Sequence, residues 1–304
     1  MTELTITPLT LHIGAQIDGV DVTQPLDENT INLIRAALLK WKVIFFRNQN
    51  LDHPQHIRFA RYFGAPTPGH VIFGSDETYP EIYSVAKHRT ANARRAPVIH
   101  SWTNWHTDIT AAINPPFASI LRGVVVPPYG GDTHWTNAAK AYQSLSPALR
   151  NFLDTLRCVH QYAPSVGPAT ENTADQYEKQ VGKTAFISEH PLVTIHPETG
   201  ERLLYISPDF VDCIVGLSPT ESRAMLEMLW RHLVRNEFTV RFKWEQGSIA
   251  FWDNRATAHL APADIFDSDF DRQFYRITLQ GEVPVGVDGK PSTAISGQPI
   301  EPIT

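Results

Sequence analysis

The pair of residues in this chain best suited to hold a metal is His106 and Asp108, set two apart in Trp105-His106-Thr107-Asp108. In extended backbone, residues i and i+2 point to the same side, so an imidazole and a carboxylate converge on one point. A third ligand must come from elsewhere, and His259, a few residues beyond the apolar run 249–252, is well placed for it. Two histidines and one carboxylate on one face of an octahedron leave three positions open, the arrangement that non-heme iron(II) oxygenases use. An isolated His-x-Asp is more often a histidine bonded to a carbonyl beside an aspartate that caps a turn, so the pair needs support from other residues. A decoy exists in His196-Pro197-Glu198, but Thr199-Gly200 follow it, and a solvent-facing hairpin turn is the expected place for it. His53, His56, His160 and His232 fall on predicted helices or strand edges and are expected to be structural or exposed.

Arg272-Gln273-Phe274-Tyr275-Arg276 forms a second constellation. On a regular strand Arg272 and Arg276 share a face and stand roughly 13 Å apart at about 3.3 Å per residue. Guanidinium groups suit bidentate recognition of carboxylate or sulfonate, so two of them near a metal could hold two different anions. The plainer expectation is that both lie on the surface, in ion pairs with Asp267, Asp269 or Asp271.

The elements that would position these residues are mostly short strands. Residues 27–41 carry Ile31, Ile34, Leu38 and Trp41 at helical spacing behind a polar start, which predicts an amphipathic helix. Residues 42–46 read as a buried strand, and 53–63 as a short helix ended by Gly64. Strands are expected at 119–126 and 133–136, with helix over 137–156 broken at Pro147. Strands at 192–195 and 203–206 flank the turn at 197–200, and Ser218-Pro219-Thr220-Glu221 is a capping box that starts a helix running to about Arg235. Strands at 239–242, 249–252 and 274–279 complete the pattern. Poor periodicity marks two long segments, one near 73–104 and one near 163–187, as lid candidates, and a tail follows 283. Because the β segments of the second half follow one another directly, a single mainly-β domain over 1–304, a jelly roll with flanking helices, fits better than alternating β and α.

A globular composition, 42% hydrophobic and 19% charged, permits a large core. A net charge of −6 offers no electrostatic case for nucleic acid, and no apolar stretch is long enough for a membrane span. Cys158 and Cys213 lack metal-type spacing and are expected to be buried small hydrophobes. With no visible signal sequence, the cytoplasm is the expected location.

The chain resembles the taurine dioxygenase/TfdA family of iron(II)- and 2-oxoglutarate-dependent dioxygenases. The resemblance runs from Ile13-Gly14-Ala15-Gln16-Ile17-Asp18-Gly19-Val20 through Trp105-His106-Thr107-Asp108, Gly130-Gly131-Asp132-Thr133, His190-Pro191, His196-Pro197-Glu198-Thr199-Gly200 and Trp252-Asp253-Asn254-Arg255 to Arg276. It implies a double-stranded β-helix, with His106, Asp108 and His259 as Fe(II) ligands. Thr133 and Arg272 would bind the distal carboxylate of 2-oxoglutarate, whose other end would chelate iron while O2 takes the remaining position. His70 and Arg276 match residues that hold the substrate anion in sulfonate-using members. Trp102, where the family's taurine enzymes place a polar side chain, would disfavour a small amine, and Ile109 and Phe210 could add apolar wall. The stretch 281–297 is closer to the alkylsulfatase-like members. The resemblance therefore implies oxidative cleavage of a small anionic substrate, an alkyl sulfate or sulfonate, with succinate and CO2 as co-products. It also implies a homo-oligomer, a dimer or tetramer. A hydroxylase or desaturase of an aryloxy or other carboxylate, or of a specialised metabolite, is the alternative. A non-redox jelly-roll metalloenzyme or a metal-binding protein would leave Arg272 and Thr133 unexplained.

Overall fold

The computed structural model describes residues 4–70, 74–87, 100–162 and 186–303. One large sheet is built from β1 (Thr5–Pro8), β2 (Ala15–Asp18), β3 (Val43–Phe46), β4 (Tyr83–Ala86), β5 (Ala118–Val125), β13 (Ile249–Asp253) and β15 (Gln273–Leu279). Their order is β1-β2-β3-β13-β5-β15-β4, antiparallel except for the β2–β3 pair. A three-stranded sheet consists of β6 (Thr133–Asn137), β12 (Thr239–Phe242) and β14 (Thr257–Leu260), with β6 central. A four-stranded sheet, β11-β7-β8-β16, contains β7 (Arg157–Tyr162), β8 (Phe186–Pro191), β11 (Val211–Ile214) and β16 (Thr293–Ser296). The hairpin of β9 (Val193–Ile195) and β10 (Arg202–Leu204) completes a double-stranded β-helix.

Alternation on β3 explains how the layers are held. Val43 and Phe45 point into the roll, where they join Trp135, Phe242, Trp252 and Phe274. Phe45 stacks on Phe242 at a centroid distance of 4.0 Å. Ile44 and Phe46 point to the other face and meet the helices α1 (Glu28–Trp41) and α2 (His53–Arg61) through Ile34, Leu38 and Phe59. Each such fully buried side chain contributes about 1.5–3 kcal/mol of transfer free energy. Both helices begin on side-chain caps: Asp27 accepts from the Thr30 N–H, and Asp52 with Gln55 forms a capping box. Lys42, expected as the first strand residue, instead ends α1 in the left-handed region. The predicted helix over 137–156 is two helices, α3 (Ala138–Gln143) and α4 (Pro147–Leu153), and α5 (Pro219–Leu233) starts on the expected capping box.

Further expectations differ from the structure. The segment near 73–104 contains β4, an edge strand paired with β15, while 71–73 and 88–99 of this lid candidate lie outside the described residues. Of the second lid candidate, 163–185 lies outside them too, but Phe186 already begins β8. The histidine of the decoy turn is not solvent-facing: His196 is fully buried, its Nε2 bonded to Asp253 Oδ2 at 2.9 Å, while Glu198 takes Arg35 and Arg255 at the rim. Cys158 is buried as expected, whereas Cys213 is only partly so. The tail is pinned: β16 pairs with β8, and the Ile300 backbone exchanges hydrogen bonds with the Asn114 side chain.

Candidate active site

His106 and His259 face each other as an antiparallel backbone pair that exchanges both N–H···O bonds, at 2.9 and 2.7 Å. This pairing sets the two rings 4.2 Å apart on one rim of the roll, at the edge of β14. Two residues on, Asp108 points to the same side as His106. Thr107 between them is turned away and anchored, its N–H donating to Ser207 Oγ and its hydroxyl to the Thr257 carbonyl. Ligand atoms of His106, Asp108 and His259 all lie within 4.8 Å of one another. The donor set fits a ferrous ion. The Asn104 carbonyl can only accept, so its 3.1 Å contact puts the proton on His106 Nδ1 and leaves Nε2 free to ligate.

Asp108 is nearly fully buried, and its two oxygens have different partners. Oδ1 accepts from Arg276 Nη1 at 2.6 Å and lies 4.0 Å from His259 Nε2. Oδ2 accepts from Ser119 Oγ at 2.7 Å; Ser119 in turn accepts from Asn254 Nδ2, whose Oδ1 accepts from the Trp252 indole N–H. Burial raises the Asp108 pKa, but Arg276, His259, His106 and Ser119 together hold it well below the ordinary carboxylate range. The carboxylate is therefore ionised and ready to bind a cation. His70 lies within electrostatic reach of Arg276, Asp108 and His106; burial, then Arg276, push its pKa well down, so it is neutral.

Thr133, Arg272 and Arg276 line one cavity together with His106, His259 and Trp252. Simple alternation does not bring the two arginines there. Arg272 precedes β15, and the register with β5 shifts between Gln273 and Phe274, so the expected shared strand face is interrupted by a bulge. The Arg272 guanidinium lies over the Phe274 ring at 4.0 Å. Gly131, at φ +65°, leaves room for it, because a Cβ there would stand 3.3 Å from Arg272 Nε. The remaining predicted residues sit elsewhere. Ile109 and Phe210 join an apolar cluster with Phe186 immediately after Asp108. Trp102 does not line this cavity; its ring stacks on His100 at 4.4 Å and packs against Trp230 of α5 in a different core cluster. The sequence reading missed Ser119; Asn254 and Gly131 were in view only as parts of longer motifs.

A jelly roll with this rim defines a 2-oxoglutarate-dependent dioxygenase by class, and comparison with known proteins agrees. The family model for "Taurine catabolism dioxygenase TauD, TfdA family" matches residues 5–278, and the chain belongs to that family. It is 41% identical to an alpha-ketoglutarate-dependent sulfate ester dioxygenase of Pseudomonas putida, over 95% of this chain and 93% of that one. It is 36% identical to an alkylsulfatase of Acinetobacter baylyi, over 94% and 88% respectively. A crystal structure of a taurine dioxygenase from Burkholderia xenovorans superposes with a TM-score of 0.86 at 55% identity, covering 97% of this chain and 96% of that one.

Proposed function

We propose that the protein is an Fe(II)- and 2-oxoglutarate-dependent dioxygenase that oxidatively cleaves an alkyl sulfate or a related alkyl sulfonate. One observation carries the head-group assignment: Arg276 lines the cavity, and only its Nη1 is committed, to Asp108. Its Nε and Nη2 are buried without a hydrogen-bond partner among the described residues. Two such donors in fork geometry suit a tetrahedral anion, and His70 lies within electrostatic reach of them. The names of the two curated relatives, which act on sulfate esters, point the same way.

His106 Nε2, Asp108 Oδ1 and His259 would hold the iron, and Arg272 with Thr133 would hold the distal carboxylate of 2-oxoglutarate. Bound iron, with 2-oxoglutarate and O2, supplies the oxidising power, and succinate and CO2 are the co-products. The protein's own part is to place the substrate carbon. Arg276 and His70 would anchor the anion. Once the carbon bearing the sulfate is hydroxylated, the hydroxyl loses its proton, a carbonyl forms and the carbon–oxygen bond to sulfate breaks. An aldehyde and free sulfate result. Arg276 remains in place to stabilise the charge on the departing anion.

The test is succinate and sulfate release by anaerobically iron-loaded protein given 2-oxoglutarate and O2. The panel holds alkyl sulfates, alkyl sulfonates, taurine and aryloxy carboxylates. Alkyl sulfates should stimulate succinate formation most, with one sulfate freed per succinate. Preferential turnover of an aryloxy carboxylate would overturn the substrate class, preferential turnover of a sulfonate, taurine included, would overturn the preference for sulfate, and absence of succinate from iron-bound protein would overturn the reaction.

A further inference from the structure

We propose that Trp244, which does not line the cavity, aims the co-substrate clamp by biasing the Thr133 hydroxyl towards donating and by bracing the ring on which Arg272 lies. The proposal rests on the reading that Thr133 and Arg272 hold the distal carboxylate of 2-oxoglutarate.

Trp244 lies in the connection between β12 and β13 and is 3% exposed, as is Thr133. Its Nε1 stands 2.9 Å from Thr133 Oγ1. An indole N–H can only donate, so the Thr133 oxygen must accept, and its proton is turned away from the indole. Among the described residues that proton has no partner, and Thr133 borders the cavity that also contains Arg272. A threonine hydroxyl left to itself rotates and can present either a lone pair or a proton. With the indole holding one lone pair, the hydroxyl keeps its proton and a single further lone pair, and an anion in the cavity takes the proton.

The same ring reaches the other arm of the clamp. Trp244 meets Phe274 edge to face at 4.7 Å, and the Arg272 guanidinium lies on Phe274 at 4.0 Å. Phe274 is fully buried, so the stack cannot slide without moving the core. A single residue behind the cavity thereby sets both donors that would grip a carboxylate. Trp244 is a positioning residue, and its signature is selectivity between oxo acids.

The experiment titrates Co(II)-loaded protein with 2-oxoglutarate and with 2-oxopentanoate, an oxo acid of the same length that lacks the distal carboxylate. Trp244→Phe removes the N–H and keeps an aromatic ring. It should weaken 2-oxoglutarate by roughly tenfold, as expected for an unmade hydrogen bond to a charged group, while 2-oxopentanoate and Co(II) affinities stay within about twofold. In a Thr133→Val background the further loss from Trp244→Phe should shrink to about twofold or less, because the indole no longer has a hydroxyl to orient. Equal losses for both oxo acids, or an undiminished loss in the Thr133→Val background, would overturn the proposal and leave Trp244 a core residue. If instead Thr133→Val and Arg272→Ala both bind 2-oxoglutarate normally, the clamp itself is misassigned. Should Trp244→Phe not fold, 15N-tryptophan labelling of Zn(II)-loaded wild-type protein decides the matter. The Trp244 indole N–H signal should shift with 2-oxoglutarate and not with 2-oxopentanoate, and identical responses to the two would overturn the proposal.

Discussion

At the residue scale, the carboxylate of Asp108 shows how a candidate ligand is oriented by its neighbours. Each link from Trp252 through Asn254 and Ser119 to Asp108 Oδ2 has a determinate direction, because an indole can only donate and a carboxylate can only accept. The chain fixes the Asn254 amide orientation and leaves Oδ1 as the oxygen facing His259. Removing a hydrogen bond behind a ligand typically costs about 10–100-fold in metal affinity. Ser119→Ala is therefore expected to weaken Fe(II) or Co(II) binding within that range while its thermal midpoint moves only a few degrees. Asn254→Ala should do the same to a smaller degree, since water can replace one amide proton. Unchanged metal affinity in both variants would show that Oδ2 needs no partner. Arg276 is the other neighbour of this carboxylate, and Arg276→Lys keeps the charge but loses the fork. It should raise the KM for an alkyl sulfate by roughly tenfold or more, with the KM for 2-oxoglutarate little changed; equal effects on both would place Arg276 in general site integrity.

At the element scale, the turn Gly130–Gly131 carries consequences that no side chain announces. Both glycines have positive φ, and the Gly131 N–H donates to Asp264 Oδ1 at 3.1 Å, tying the turn to the segment that precedes Arg272. Gly131→Ala combines a left-handed alanine, costing roughly 1–2 kcal/mol, with a methyl group pressed against Arg272. The expected result is a several-fold rise in the KM for 2-oxoglutarate beyond what the modest loss of stability explains; an unaltered KM would mean that Arg272 moves freely. Elements like this separate what was legible in the sequence from what was not. The shared side of His106 and Asp108, the helices with their caps and the long central strands were legible, because two-residue and 3.6-residue periodicities survive in the chain. The edge strand β4 was not, because four residues, three partly buried and one buried, carry too little pattern. Nor was the burial of His196, since Pro197 and Gly200 identify a turn but not the Asp253 carboxylate beneath it. Arg272 reached the expected cavity by a bulge that alternation does not encode. Trp102 faced a core that its neighbours in sequence did not reveal.

At the scale of the whole molecule, buried histidines set how the fold responds to acid. His56 is fully buried beside the Arg122 guanidinium, which also donates to His53 Nδ1 and to the Leu51 carbonyl, so α2 is docked on the large sheet through imidazoles that must stay neutral. Burial, then Arg122, push the His56 pKa well down, and burial, then His190, do the same to His160. Burial pushes His190 down to about 4, against the opposing pull of the Thr110 and Ala112 backbones. In the unfolded chain these rings take up protons near pH 6.5, whereas in the folded protein they resist. Between about pH 6.5 and 4 the unfolded state therefore binds more protons, and stability falls as pH falls. His190 alone accounts for roughly 3 kcal/mol by pH 4. Asp108 and Asp253, both held well below the ordinary carboxylate range, lose their contributions only below about pH 4, so the higher window belongs to the histidines. Guanidinium unfolding midpoints should be level above pH 7 and drop progressively at pH 6 and 5. His190→Gln, whose amide can still donate to the Thr110 carbonyl, should be less stable at pH 7.5 yet decline less steeply on acidification. If His190→Gln, His56→Gln and His160→Gln all lose stability as steeply as the wild type between pH 6.5 and 4, the acid response originates outside these three histidines.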